Sequence, residues 1–347
     1  MAGISNKAGW SIAIAVSLVL AATLAGWVHA GGPLDPPGAP GVTMKSLSEV
    51  EPRTPISSLP YTIAQPGSYY LTGNLSVSSA IDGITVQAND VTIDLNGFDL
   101  NGNGVGANGI TQGASPPLRN WRVYNGSIVG WSYALYGLLV TNGQVDHVSA
   151  SGIRTTGLWL GAGARVSDCS VEGSGAPFRG IETGGGSSVE SCSTRGFGEG
   201  IYVGSQSTVA RCNVAGGTGV RAVGSTVESC RISATVYGIR VTFSGQHAVL
   251  GNQIDMTFAI DANSCGIYSV GSGTAIDGNR VTNSPNGMCL VQNSGVTATR
   301  NSFYNMTVAT FTGYTGNDVP ALVAAGSATN PLANICMTPP GTCTATP

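Results

Sequence analysis

Six aromatic and charged side chains stand at one fixed position of a repeated phrase that begins with glycine. They are Trp159, Glu182, Tyr202, Arg221, Arg240 and Tyr268. Aromatic rings pack against the apolar faces of sugar rings, and guanidinium groups pair with carboxylate or sulfate groups. The six positions therefore predict a line that binds an extended, acidic polysaccharide or another surface. Aromatic residues also favour exposed strand positions in any β protein, so a purely structural line is the alternative.

Glu182 and Glu199 are the candidate catalytic residues, because they are the one pair of carboxylates expected near this line. Glycoside hydrolysis uses two carboxylates about 5 to 9.5 Å apart. The line lacks three clustered acids for calcium, and no nearby Ser and Asp set completes a triad with His147 or His247. We therefore expect no metal and no cofactor, and we leave catalysis open. A polysaccharide lyase or glycoside hydrolase is the alternative to a binding protein, and a structural or adhesive surface rod is a third.

A glycine phrase with a period of about 20 residues must position these side chains. It reads GIET, GIYV, GVRA and GIRV from Gly180, Gly200, Gly219 and Gly238. The register extends to glycines at Gly83, Gly109, Gly137, Gly157, Gly266 and Gly287. Apolar residues alternate without a helical period, which predicts stacked parallel strands. Because the steps vary between 19 and 28 residues, they indicate a right-handed parallel β-helix of about ten coils rather than a hexapeptide helix or a calcium-binding roll.

Each phrase assigns one residue to the core and the next to the surface, because strand side chains alternate. The predicted core column is Ile84, Leu138, Leu158, Ile181, Ile201, Val220, Ile239 and Ile267. The predicted outward column is Thr85, Thr111, Leu139, Trp159, Glu182, Tyr202, Arg221, Arg240, Tyr268 and Cys289. Four residues just before the glycines are expected to edge the same face, namely Tyr136, Arg179, Glu199 and Tyr237.

A second phrase lies between the glycine phrases, and its fourth position predicts another inward column. The column is Asn96, Gly126, Val148, Cys169, Cys192, Cys212, Cys230, Asn252, Asn279 and Asn301. Parallel side chains keep the β-carbons of stacked cysteines farther apart than a relaxed disulfide prefers, which predicts free, buried thiols. Ligands in one line also cannot surround zinc tetrahedrally. The asparagines are expected to hydrogen-bond to one another and to the turn backbone.

The other four cysteines lie in the last glycine phrases and in the segment after them. Cys336 and Cys343, seven residues apart, are predicted to form a disulfide that pins a carboxyl-terminal tail. Cys265 and Cys289 flank different sides of a glycine phrase, and their pairing is left open.

One segment carries a family resemblance. GITVQANDVTIDLNGFDLNGNG, from Gly83 to Gly104, resembles the opening coils of secreted bacterial right-handed β-helix proteins, a superfamily that includes pectate lyases, polygalacturonases and phage tailspikes. The leader LDPPGAPGVTMKSLSEVEPRTPI is similar to that of a bacterial subgroup without assigned activity. The resemblance implies an all-β, single-stranded right-handed parallel β-helix. It does not imply one function, because this fold carries lyases, hydrolases, adhesins and scaffolds.

Composition divides the chain and restricts its partners. Residues 1–30 are predicted as a signal peptide, 31–60 as a Pro/Gly-rich leader, 61–312 as the β-helix and 313–347 as the tail. We therefore expect a secreted, periplasmic or cell-surface protein with no membrane span after signal removal. A formal net charge of −3 argues against nucleic acid as a partner. A polysaccharide or cell-surface glycan remains the expected partner, and the sequence does not specify an oligomeric state.

Overall fold

The computed structural model describes residues 52–113, 117–175, 177–242, 246–291, 295–313, 317–319, 322–324, 331–336 and 345–346. The predicted signal peptide and most of the predicted leader lie outside the described residues. The chain divides into two units, Met1–Pro52 and Arg53–Pro347, and all strands described below belong to the second.

The described secondary structure consists of short strands. The first eleven are β1 (Thr54–Ile56), β2 (Tyr61–Ile63), β3 (Gly67–Leu71), β4 (Leu75–Ser76), β5 (Ile84–Val86), β6 (Val91–Asp94), β7 (Asp99–Gln112), β8 (Leu118–Arg119), β9 (Trp121–Gly137), β10 (Val140–Thr141) and β11 (Gln144–Ile153). The next eleven are β12 (Thr156–Leu160), β13 (Arg165–Ser167), β14 (Ser170–Gly173), β15 (Arg179–Thr183), β16 (Ser188–Glu190), β17 (Ser193–Val203), β18 (Thr208–Ala210), β19 (Asn213–Val223), β20 (Thr226–Glu228), β21 (Arg231–Thr242) and β22 (His247–Leu250). The last are β23 (Gln253–Asp255), β24 (Cys265–Val270), β25 (Thr274–Asp277), β26 (Arg280–Thr282), β27 (Asn286–Val291), β28 (Thr297–Thr299), β29 (Ser302–Tyr304), β30 (Ala309–Thr312), β31 (Leu322–Ala324), β32 (Asn334–Cys336) and β33 (Ala345–Thr346).

These strands form a right-handed parallel β-helix of about 11 turns, as the repeat predicted. Each turn contributes to three parallel sheets. The glycine sheet contains β2, β5, β12, β15, β24, β27 and β30 with the carboxyl-terminal parts of β7, β9, β17, β19 and β21. The second sheet contains β1, β3, β6, β13, β16, β18, β20, β22, β25 and β28 with the starts of β9 and β11. The third sheet contains β4, β14, β23, β26, β29, β31 and β32 with the starts of β7, β17, β19 and β21 and later parts of β9 and β11. The described residues include no helix that is long and apolar enough to span a membrane.

The core column of the glycine sheet confirms the alternation of the phrase, with one exception. Ile84, Ile110, Leu135, Leu158, Ile181, Ile201, Val220, Ile239, Ile267, Met288 and Phe311 pair in register. The prediction for Leu138 was wrong, because Leu138 is 40% exposed and Leu135 is fully buried in its place. That turn has Ala134 at the glycine position, whereas Gly137 ends the strand, so the glycine register was misread by three residues.

Close packing explains why the phrase begins with glycine. A Cβ on Gly219 would lie 2.3 Å from Cγ2 of Ile232 and 2.6 Å from the carbonyl oxygen of Gly238. A Cβ on Gly238 would meet Ile254 and the carbonyl oxygen of Gly266 in the same way. Since interiors are packed to crystal density, a larger residue there would displace the backbone of the next turn. The glycines thus fix the position of the strand that follows them.

The turn between the second and third sheets carries the column of cysteines and asparagines. Cys169, Cys192, Cys212 and Cys230 are free and buried, as predicted. Each donates a long, weak S–H hydrogen bond to the carbonyl oxygen two residues earlier, for example Cys192 to Glu190 at 3.2 Å. The residue before each of these cysteines and before Asn252, Asn279 and Asn301 has a positive φ, such as Ser229 at 54° and Gly251 at 61°. This left-handed residue turns the chain so that the next side chain enters the core.

The asparagines of the column form the predicted ladder. Asn252 donates its side-chain amide to Asn279, which donates to Asn301, at 2.9 and 3.0 Å. Asn301 donates in turn to Asn334 at 3.1 Å, so the ladder extends one residue beyond the prediction.

The assignment of Asn96 to this column was wrong. Leu95 is fully buried and stacks on Gly126, whereas Asn96 is exposed. The carboxylate of Asp94 accepts the Asn96 N–H at 2.7 Å, so this turn begins one residue earlier than the others.

Strand pairing also defines the ends of the β-helix. It starts at Thr54, which pairs with Tyr69, earlier than the predicted start at residue 61. At the other end β32 pairs with β29, inside the segment predicted as a tail. Cys336 is disulfide-bonded, but Cys343 lies outside the described residues, so their pairing stays a prediction.

Candidate functional site

The outward column of the glycine sheet brings the six predicted residues together. Thr85, Thr111, Tyr136, Trp159, Glu182, Tyr202, Arg221, Arg240, Tyr268, Cys289 and Thr312 pair in register on successive turns. Leu139 was wrongly assigned to it for the same reason as Leu138. Tyr136 holds that position instead, so the aromatic and charged stretch begins one turn earlier than predicted.

An edge column runs beside the outward column, three residues earlier in each turn. It consists of Asn108, Tyr133, Thr156, Arg179, Glu199, Thr218, Tyr237, Cys265, Asn286 and Ala309. Arg179, Glu199 and Tyr237 were predicted at this edge. Tyr133 was missed, although its spacing of three residues from Tyr136 equals the spacing of Arg179 from Glu182. We call the two columns from Tyr133 to Tyr268 the glycine face.

Diagonal contacts join the two columns. An edge residue usually contacts the outward residue of the next turn. The ring of Tyr133 stacks on that of Trp159 with centroids 6.1 Å apart, and the centroids of Tyr237 and Tyr268 are 4.6 Å apart. Cys265 and Cys289, whose pairing the sequence left open, occupy the same diagonal and form a disulfide.

Arg179 is the centre of an ion-pair network in the middle of the glycine face. Its guanidinium contacts Glu182 at 2.5 Å and Glu199 at 2.7 Å, and it lies 4.1 Å from the ring centroid of Tyr202. Burial alone would lower the pKa of Arg179, but hydrogen bonds to the two carboxylates raise it above its ordinary value. Glu199 also pairs with Arg221 at 3.2 Å along the diagonal. The two carboxylates therefore neutralise Arg179 and Arg221.

Arg240 is the exception to the diagonal pattern. The edge residue one turn earlier is Thr218 instead of a carboxylate. Within the described part of the chain, Arg240 has no carboxylate within 4.0 Å, and its buried Nε has no hydrogen-bond acceptor. Its guanidinium carbon lies 5.3 Å from the ring centroid of Tyr237 and 5.6 Å from that of Tyr268. The glycine face thus carries one uncompensated positive charge, which lies beside the paired rings of Tyr237 and Tyr268.

Arg221 and Arg240 lie on adjacent turns of the outward column. Two like charges at this distance repel each other unless an anion or a carboxylate, such as that of Glu182, compensates them. The structure places Glu199, not Glu182, beside Arg221, so the uncompensated charge belongs to Arg240 alone.

The candidate catalytic residues Glu182 and Glu199 are brought together by Arg179. Both carboxylates accept bonds from the same guanidinium, and Glu182 is only 8% exposed. A general acid must deliver a proton to the substrate, whereas these groups already serve as acceptors. In the ranges that the structure describes, no group of three His, Cys, Asp or Glu residues could hold a metal ion.

Comparison with known proteins adds a similarity of fold. No protein-family model matches the chain, and no curated protein matches it in sequence. The A-module of a mannuronan C-5 epimerase from Azotobacter vinelandii is 14% identical with a TM-score of 0.46, over 79% of this chain and 91% of that chain. The DFA-IIIase from Arthrobacter chlorophenolicus A6 without its lid is 14% identical with a TM-score of 0.46, over 80% and 74%. A GH87 α-1,3-glucanase catalytic domain in complex with tetrasaccharides is 13% identical with a TM-score of 0.49, over 84% and 60%.

Proposed function

We propose that the glycine face binds an extended, acidic polysaccharide, with Arg240 as the anion-binding residue. The observation that carries this function is the guanidinium of Arg240, which lies beside the rings of Tyr237 and Tyr268 and has no carboxylate partner among the described residues. An arginine without a carboxylate partner has its charge free to pair with an anionic ligand. A carboxylate or sulfate on a sugar would supply the acceptor and the negative charge.

Groups of aromatic side chains at both ends of the glycine face support an extended ligand. Tyr133, Tyr136 and Trp159 form a cluster at one end, with centroid separations of 5.2 to 6.1 Å. Tyr237 and Tyr268 form the pair at the other end. Because parallel strands are about 4.8 Å apart, the five steps from Trp159 to Tyr268 span about 24 Å. Sugar rings would pack on these two platforms and cross the ion-pair network between them.

Binding rather than catalysis is the function that this geometry favours, because Glu182 and Glu199 both hold Arg179. The protein would act outside the cytoplasm, as residues 1–30 predict. Its partner would be a wall, capsule or matrix glycan that carries acidic groups at intervals.

Two variants test the role of Arg240. Arg240→Ala should lower the affinity for polygalacturonate about 10- to 100-fold, as expected for the loss of one charge-assisted pair. Thr218→Glu should have a similar effect without removing the arginine, because it places a carboxylate where Glu199 stands for Arg221. Arg195→Ala is the matched control, since Arg195 is exposed and pairs with Glu172 on the third sheet. Higher salt should weaken binding by the unmodified protein.

The readout is calorimetric titration with polygalacturonate and, as a neutral comparison, amylose. Unchanged affinity in both Arg240→Ala and Thr218→Glu would contradict the proposal. A glycan array on which the mature protein binds no acidic glycan would contradict it as well, and would favour a structural rod.

A further inference from the structure

A groove on the third sheet has the composition of a second ligand site. It has a volume of about 340 Å³ and runs between two outward columns of strands β19, β21, β23 and β26. One column carries Asn213, Arg231, Gln253 and Arg280, which pair in register on successive turns. The other carries Ser233, Asp255 and Thr282. The volume lies within the range of small-molecule sites, roughly 300 to 1,000 Å³.

Among the described residues, the donors along the first column have no partner. Over the described ranges, the side chains of Arg231, Gln253 and Arg280 form no hydrogen bond or ion pair with other residues. Other exposed arginines nearby are paired, as Arg195 is with Glu172 and Arg211 with Glu190. The groove therefore presents two unpaired guanidinium groups two turns apart, about 9.6 Å along the axis.

The opposite column holds a fixed acceptor. Oδ1 of Asp255 accepts hydrogen bonds from the Thr257 hydroxyl at 2.6 Å, the Asn283 amide at 2.9 Å and the Thr257 N–H at 3.2 Å. These bonds outweigh burial and lower the pKa of Asp255, so the carboxylate stays ionised. Its second oxygen, Oδ2, accepts none of these bonds. The groove thus combines donors for an anion with an oriented acceptor for a hydroxyl group.

We propose that this groove is a second, independent site for an acidic sugar residue. A guanidinium pairs with the carboxylate of the sugar, Oδ2 of Asp255 accepts a hydrogen bond from a sugar hydroxyl, and Gln253 forms a hydrogen bond with a further hydroxyl. A simple anion would use the arginines but not Asp255, and a neutral sugar would leave the arginines unpaired. The site lies on a different sheet from the glycine face and does not depend on Arg240. A chain with both sites would bind two glycan strands at once.

The test uses sodium D-galacturonate and two comparison ligands. Acetate has the carboxylate but no sugar hydroxyls, and D-galactose has the hydroxyls but no carboxylate. Binding to the full chain is followed by NMR chemical-shift titration. We expect galacturonate to bind at least tenfold more tightly than either probe. Arg231→Gln combined with Arg280→Gln should abolish that preference, and Asp255→Asn should reduce galacturonate to the level of acetate.

Matched variants separate this site from the glycine face. Arg195→Gln removes a paired arginine of the same sheet and should leave galacturonate binding unchanged. Arg240→Ala should leave the galacturonate-induced shifts of Arg231, Gln253 and Arg280 unchanged, since any galacturonate bound at Arg240 would perturb resonances of the glycine face instead. The inference is overturned if the Arg231→Gln, Arg280→Gln variant, folded as judged by its circular dichroism, binds galacturonate as the unmodified protein does. It is equally overturned if galacturonate shifts the resonances of residues around Arg240 and not those of residues lining the groove.

Discussion

Replacing Asn279 with alanine should destabilise the β-helix more than any change at a cysteine of the same column. Asn279 is fully buried in the middle of the asparagine ladder. Its Oδ1 accepts hydrogen bonds from the backbone N–H and the side-chain amide of Asn252, both at 2.9 Å. Its amide donates to the carbonyl oxygen of Val249 at 2.8 Å and to Asn301 at 3.0 Å. Alanine would remove these four bonds and a fifth, from the same amide to the carbonyl oxygen of Asp277 at 3.2 Å.

The magnitude follows from the groups that lose their partner. The Asn252 N–H and one Asn252 amide hydrogen would be left buried and unpaired, because Asn279 is their acceptor. Each such group costs about 1 to 3 kcal/mol, so the two together cost about 2 to 6 kcal/mol. For a chain of 347 residues, 1 kcal/mol corresponds to about 1.5 °C in the melting temperature, which gives a decrease of roughly 3 to 9 °C.

Cys212→Ala is the matched control, because Cys212 occupies the same column and donates only weak bonds at 3.3 and 3.6 Å. We expect it to cost about 1 kcal/mol, chiefly through a small cavity. Thermal and guanidinium unfolding of the two variants, followed by circular dichroism, measures the difference. If Asn279→Ala melts no lower than Cys212→Ala, the amide ladder does not stabilise the fold, and the free-energy cost assigned to the unpaired groups is wrong.

Two further predictions concern titratable groups. Bonding to the preceding thiol and burial raise the pKa of Cys192 and of Cys212 to about 12, so both should resist iodoacetamide at pH 8 and react only after unfolding. Mass mapping of native and denatured protein checks this, and equal labelling in both states would contradict it. Hydrogen bonds from Arg300 and Thr299 lower the pKa of Asp277, so its stabilising contribution is present above the unfolded value of about 3.9 and is lost as pH falls below it. Asp277→Asn should therefore make stability fall less steeply below pH 4 in acid-unfolding curves, and an unchanged slope would exclude this contribution.

Much of the fold could be predicted from the sequence because close packing restricts the glycine position. A Cβ at Gly219 or Gly238 would overlap the next turn, so glycine recurs at this position in most turns and marks the strands. The prediction failed at Leu138, where Ala134 stands at the phrase position and Gly137 follows three residues later. It failed at Asn96, where an extra turn stabilised by Asp94 shifts the buried position to Leu95. In both places a local feature replaced the repeat, and periodicity alone gave no warning.

The candidate site was predictable in its members but not in its charge balance. Alternation placed Arg221 and Arg240 on one face, and no rule of alternation says which carboxylate lies beside which arginine. That choice depends on the diagonal between an edge residue and the next turn, which pairs Glu199 with Arg221 and leaves Thr218 before Arg240. A single position, 218, therefore decides whether the glycine face is electrically balanced. Because Glu182 and Glu199 pair with Arg179 and Arg221, an acidic ligand would gain its specificity at Arg240, and the aromatic platforms would add affinity along the length of the chain it binds.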